Sequence, residues 1–134
     1  MKHAEVVRVK DVMKIEFDLI HGIETVADAL RAAKHLETEC MLVNRRHDDD
    51  EYGIVLLSDI AKKVLGADRA ADRVNVYEIM SKPVVSVDPD MDIRYCARLF
   101  ERFGLTLAPV IQGRTVVGVV SYRDIVLRGV RDRL

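Results

Sequence analysis

Between residues 25 and 36 the apolar side chains Val26, Ala29, Leu30 and Ala33 recur at the i, i+3, i+4, i+7 spacing of an amphipathic helix. The same stripe returns 67 residues later as Ile93, Cys96, Ala97 and Phe100. Thr25 and Asp92 stand where each helix would begin, with a side-chain oxygen able to accept from an otherwise unpaired backbone N–H. Gly104 offers the second helix a C-terminal stop. The remaining apolar runs are short and rich in β-branched residues, which predicts strands at 17–20, 41–43 and 52–57, then at 84–87, 108–111 and 115–120. Gln112-Gly113-Arg114 between the last two reads as a tight hairpin, with Gly113 at positive φ. Further helices are predicted over 58–65 and 123–130.

These elements form an internal repeat. Lys10-Asp11-Val12-Met13 returns as Tyr77-Glu78-Ile79-Met80 at a shift of 67. Gly53-Ile54-Val55-Leu56-Leu57-Ser58-Asp59-Ile60 returns as Gly118-Val119-Val120-Ser121-Tyr122-Arg123-Asp124-Ile125 at a shift of 65. The two-residue difference belongs in the loop 45–51, because loops accept insertions more readily than packed elements do. The predicted fold class is therefore α+β: two pseudo-symmetric β-α-β-β-α units, each led by a short helical turn. The first motif runs over 8–66 and the second over 76–130, joined by the polar linker 67–75 into one compact module. A period near 65 is longer than that of a solenoid repeat.

Composition narrows the function. The 134 residues are 49% hydrophobic and 32% charged with a net charge of −1, so the chain folds but carries no bulk attraction for nucleic acid or anionic membrane. Seven aromatics and no Trp make a base-stacking platform hard to build, so a nucleic-acid partner is not expected. No apolar run approaches the ~18 residues of a membrane span, and residues 1–5 lack a signal-peptide apolar region. Cys40 and Cys96 have no CxxC partner, which fits two reduced thiols and a cytoplasmic location. His3, His21, His35 and His47 are scattered without metal-ligand spacing; His21, beside Gly22 near a strand end, reads as a turn residue that a ligand could also reach. Asp48-Asp49-Asp50-Glu51 could attract a hard cation, but lacks the glycine and spacing of a calcium loop and reads as a solvated turn. No nucleophile–base pair, GxGxxG or P-loop is present, so neither catalytic nor metal-binding residues are expected.

The order Val-Met, strand, helix, hairpin and G-[IV]-V-S-x-x-D-I, given twice over residues 9–129, resembles a tandem pair of CBS (cystathionine β-synthase) motifs, a Bateman module. The resemblance implies a non-catalytic regulatory module that binds AMP, ADP, ATP or a related adenosyl ligand in clefts between the motifs. It also implies a homodimer and an unidentified regulated protein that reads the ligand state. Ser121 and Asp124 match family positions that contact the sugar–phosphate part of the ligand. The resemblance places Ile23, Glu24, Ala29, Thr38 and Glu39 on the other wall of that cleft, with Leu105 and Thr106 from its own repeat. Arg123, Arg94 and Lys82 are candidates for the phosphate.

The chemistry agrees, since an ionised carboxylate can accept hydrogen bonds from both hydroxyls of a ribose. The same residues also fit a purely structural role, with Asp124 capping the last helix and Ser121 closing a strand. The first repeat keeps Gly53 and Asp59 but has Leu56 in place of Ser121, Ser58 in the position of a helix cap, and Glu16 where the second has Pro83. Unequal clefts follow, with that of Asp124 the better and that of Asp59 the poorer. A ligand-free dimerisation or docking module is the alternative reading of the whole chain.

Overall fold

A computed structural model of the protein describes residues 5–134. In chain order the elements are α1 (Val9–Val12), β1 (Leu19–Ile20), α2 (Val26–Ala32), β2 (Cys40–Val43), β3 (Gly53–Leu56), α3 (Leu57–Ile60), α4 (Ile93–Phe103), β4 (Leu107–Gln112), β5 (Thr115–Ser121) and α5 (Tyr122–Gly129). They gather into two compact units that do not follow the order of the chain. One unit combines Met1–Glu16 with Val85–Leu134, and the other is Phe17–Val84.

The first unit has a β4–β5 hairpin in which Val110 faces Gly118, with Gly113 at φ 63° in the turn. Helix α4 lays its stripe on this hairpin: Ile93, Cys96 and Phe100 are buried, and Ala97 packs beside them. Asp92 caps α4 by accepting from the Arg94 N–H at 2.9 Å, and Gly104 ends it at φ 66°. Val9 and Val12 of α1 join the same core. After α1 the chain runs beside β5, where Lys14 and Val119 exchange two backbone hydrogen bonds of 2.9 Å. Gly118 makes this approach possible. A Cβ there would lie 2.6 Å from the Lys14 carbonyl oxygen and 2.8 Å from the Met13 sulfur.

The second unit repeats the arrangement. Strand β2 pairs parallel with β1 and antiparallel with β3, and Val43 faces Gly53 as Val110 faces Gly118. Ser81 exchanges backbone bonds with Ile54 at 2.9 and 3.0 Å, the counterpart of the Lys14–Val119 bridge. Gly53 admits Met80, whose sulfur would lie 2.9 Å from an added Cβ. The pairs Val12-Met13 and Ile79-Met80 therefore mark the segments that pack on a glycine-containing strand. Val26 and Ala29 of α2 are buried, while Leu30 and Ala33 are partly so.

Several expectations are corrected. Helix α2 stops at Ala32 instead of reaching residue 36, because the Asp18 carboxylate accepts from the Lys34 and His35 N–H groups at 2.9 Å each. Those donors would otherwise continue the helix. The strand expected over 84–87 reduces to one bridge, Val87 to Val110. Pro83 and Pro89 flank that run and supply no N–H to a ladder. Ser58 is not a cap: α3 begins at Leu57, and Asp59 accepts from the Leu56 N–H at 2.9 Å. Beyond Ile60 the helix continues as a wider turn over Ala61–Leu65, closed by a 2.7 Å bond from the Gly66 N–H to the Ala61 carbonyl. His3 lies outside the described residues. Among the described residues, no helix is long and apolar enough to cross a membrane.

Candidate functional site

At the junction of β5 and α5 a hydroxyl, a carboxylate and an ammonium meet. The Ser121 N–H and hydroxyl both donate to one Asp124 oxygen at 3.0 Å, and the Asp124 N–H donates back to the Ser121 hydroxyl at 3.2 Å. This reciprocal cap fixes the side chains at the start of the helix. Lys14 donates its ammonium to the other Asp124 oxygen. Asp124 is 4% exposed and Lys14 18%. Thr106 adjoins this corner, its carbonyl accepting from the Tyr122 N–H at 3.1 Å. Leu105 packs against the core below, and Phe100 meets the Tyr122 ring edge-on at 5.2 Å.

In the Phe17–Val84 unit, Asp59 occupies the equivalent corner with thinner support. Lys63 lies 3.7 Å from its carboxylate, and no serine stands at position 56. Of the other residues assigned to a ligand wall, Ala29 is core and Thr38 is buried, donating its hydroxyl to the His35 and Cys40 carbonyls. Glu39 sits at φ 62°, and its carbonyl accepts from the Leu57 N–H at 3.0 Å. Glu24 accepts from the His21 N–H at 2.7 Å. Ile23 is 81% exposed at the mouth of a cavity.

That cavity has a volume of about 580 Å³ and lies at the hairpin end of β2, the opposite end of the strand pair from Asp59. Val43, Met80 and Tyr77 contribute apolar surface, and Arg45, Arg46 and Lys82 contribute charge. Asp50 ties Lys82 at 2.8 Å and Arg46 at 3.2 Å. The Lys82 ammonium, together with the Arg46 N–H, holds the Asp50 carboxyl far below the usual carboxylate range. The acidic run is thus a turn, as expected, but Asp50 faces inward to cations rather than to solvent.

The sequence model of the CBS domain matches residues 76–130. A solved structure of a hexameric CBS-CP12 protein from bloom-forming cyanobacteria is 38% identical, covers 96% of this chain and 74% of its own, and superposes with a TM-score of 0.88. The chain belongs to the CBS-domain family. A CBS domain pair solved with 5′-methylthioadenosine and S-adenosyl-L-methionine shares the fold at 22% identity, with a TM-score of 0.78 over 97% of this chain and 100% of its own. A protein of Methanopyrus kandleri is 29% identical over 112 residues, 81% of this chain; the chain spans 56% of that protein's length.

As a tandem CBS pair of α+β class, the protein carries its repeat-equivalent aspartates at the starts of α3 and α5. Of the phosphate candidates, Arg123 is exposed beside Asp124, and Arg94 folds back onto Asp92 at 2.8 Å. That guanidinium and its own backbone N–H lower the Asp92 carboxyl to about 2. Lys82 lines the cavity. Sequence reasoning missed Lys14 and the Arg45–Arg46 pair. The signal for Lys14 was its place directly after the first Val-Met motif, where the second repeat has Ser81.

Proposed function

We propose that this CBS pair is a non-catalytic, cytoplasmic regulatory module that senses AMP, ADP, ATP or a related adenosyl ligand and passes the bound state to a partner protein. The observation that carries the reading is the convergence of Lys14, Ser121 and Asp124 at the start of α5. A buried carboxylate held by a cap is preorganised to accept ribose hydroxyls, and an adjacent ammonium suits a phosphate. Arg123, Leu105 and Thr106 belong to this reading, and Asp59, Ile23, Glu24 and Glu39 are the candidates for the poorer site of the Phe17–Val84 unit; Ala29 and Thr38, buried in the core of that unit, leave it. The adenosyl ligands of the 22%-identical CBS pair support the ligand class. Self-association, as a homodimer, follows the same reading, and sedimentation tests it.

One observation favours the ligand-free docking alternative: both Asp124 oxygens already have partners within their own unit. Calorimetric titration of the protein with AMP, ADP, ATP and S-adenosylmethionine, beside melting curves, decides between them. Saturable heat and a raised melting temperature, both lost in Asp124→Ala, support sensing. No heat with any of the four ligands overturns it and leaves the docking module.

A further inference from the structure

We propose that the cavity at the hairpin end of β2 is a second binding site, for a small phosphorylated molecule with a flat apolar body. This site goes beyond the adenosyl reading: it lies wholly within Phe17–Val84 and uses neither repeat-equivalent aspartate. Three segments distant in sequence, 21–23, 43–46 and 77–82, bring its walls together. At about 580 Å³ it falls within the ~300–1,000 Å³ of typical small-molecule sites.

The charges select the ligand. Arg45, Arg46 and Lys82 line the cavity, no carboxylate stands among its lining residues, and Asp50 is bonded to Arg46 and Lys82. Planar guanidinium groups match the oxygens of a phosphoryl group with paired donors. Arg45 is held in place, its guanidinium 5.0 Å above the Tyr52 ring and one terminal nitrogen donating to the Asp48 carbonyl at 3.0 Å. Its Nε is buried and, among the described residues, meets no hydrogen-bond acceptor, a donor that folding has desolvated without replacement. The apolar side of the cavity selects the body. Ile23 and Tyr77 stand 81% and 56% exposed, with Met80 and Val43 behind them, surface that a flat ring would cover.

Asp50 supplies the distinguishing test, because it competes with any anion for Lys82 and Arg46. Asp50→Asn removes the competing charge while its amide oxygen can still accept from the Arg46 N–H, now 3.0 Å from the carboxylate. The experiment titrates ¹⁵N-labelled protein with phenyl phosphate, with inorganic phosphate and phenol as separate arms. Saturable shifts are expected at residues 22, 23, 43–46, 77, 80 and 82, stronger with phenyl phosphate than with either fragment. Arg46→Gln, at a side chain 77% exposed and so safe for folding, should weaken binding by at least about fivefold. Asp50→Asn should tighten it severalfold, whereas a merely structural Asp50 would give weakening. Arg98→Gln, which removes a positive charge from α4, should leave it unchanged. The proposal is overturned if these amides do not move by about 10 mM phenyl phosphate, a Kd too weak for a specific site. It is equally overturned if Arg46→Gln and Arg98→Gln lose affinity alike, or if Asp50→Asn weakens binding.

Discussion

Replacing Lys14 by Met isolates the ion pair that the chain builds between residues 110 positions apart. Asp124 is 4% exposed, so removing the ammonium leaves a carboxylate charge in a site that water scarcely reaches. Breaking a fully buried pair from one side costs about 3–5 kcal/mol. Two features reduce that here: Lys14 is itself 18% exposed, and Asp124 keeps both hydrogen bonds from Ser121. A loss of about 2–3 kcal/mol is expected. With a urea m-value of about 1–3 kcal/mol/M, the unfolding midpoint should fall by about 0.7–3 M. Asp124→Asn in the Lys14→Met background should recover part of the loss, because an amide carries no charge to desolvate. The coupling energy from the double-mutant cycle should reach at least about 1 kcal/mol. A single-variant loss below about 0.5 kcal/mol, the range of ordinary surface substitutions, would refute the buried pair.

Asp124→Ala should weaken AMP or ATP binding at least about tenfold in calorimetric titration, at ~1.5–3 kcal/mol for each hydrogen bond to a charged group, and Asp59→Ala should weaken it less. Gly118→Ala should destabilise by about 2–3 kcal/mol in urea unfolding, since the new Cβ meets the rigid Lys14 carbonyl at 2.6 Å. Gly53→Ala should cost less, because its nearest obstacle is the flexible Met80 thioether. The Asp92 carboxyl, lowered to about 2 from 3.8, contributes stability that is full above its unfolded pKa and is lost as pH falls through the folded one. Melting temperature should therefore drop between about pH 4 and pH 2 in the wild type, with a shallower drop in Asp92→Asn. Burial pushes the Cys96 thiol up to about 11, so it should resist thiol-labelling reagents at pH 8 until the protein unfolds.

The sequence by itself determined what neighbours along the chain determine. The stripe Ile93, Cys96, Ala97, Phe100 predicted α4, Asp92 and Gly104 predicted its ends, and Gly113 predicted the hairpin turn. Doubling of these local patterns placed the chain in its family and marked Asp59 and Asp124 as equivalent positions. Tertiary structure decided what depends on distant partners. Asp18 shortens α2 by capturing the Lys34 and His35 N–H groups, a contact across 16 and 17 residues that no helical periodicity records. Lys14 becomes part of the Asp124 corner only because its segment pairs with β5, and the cavity exists only where three separated segments meet. Periodicity encodes which face of an element is buried; the bonds that assign each polar side chain its partner form across the chain, after those faces have packed.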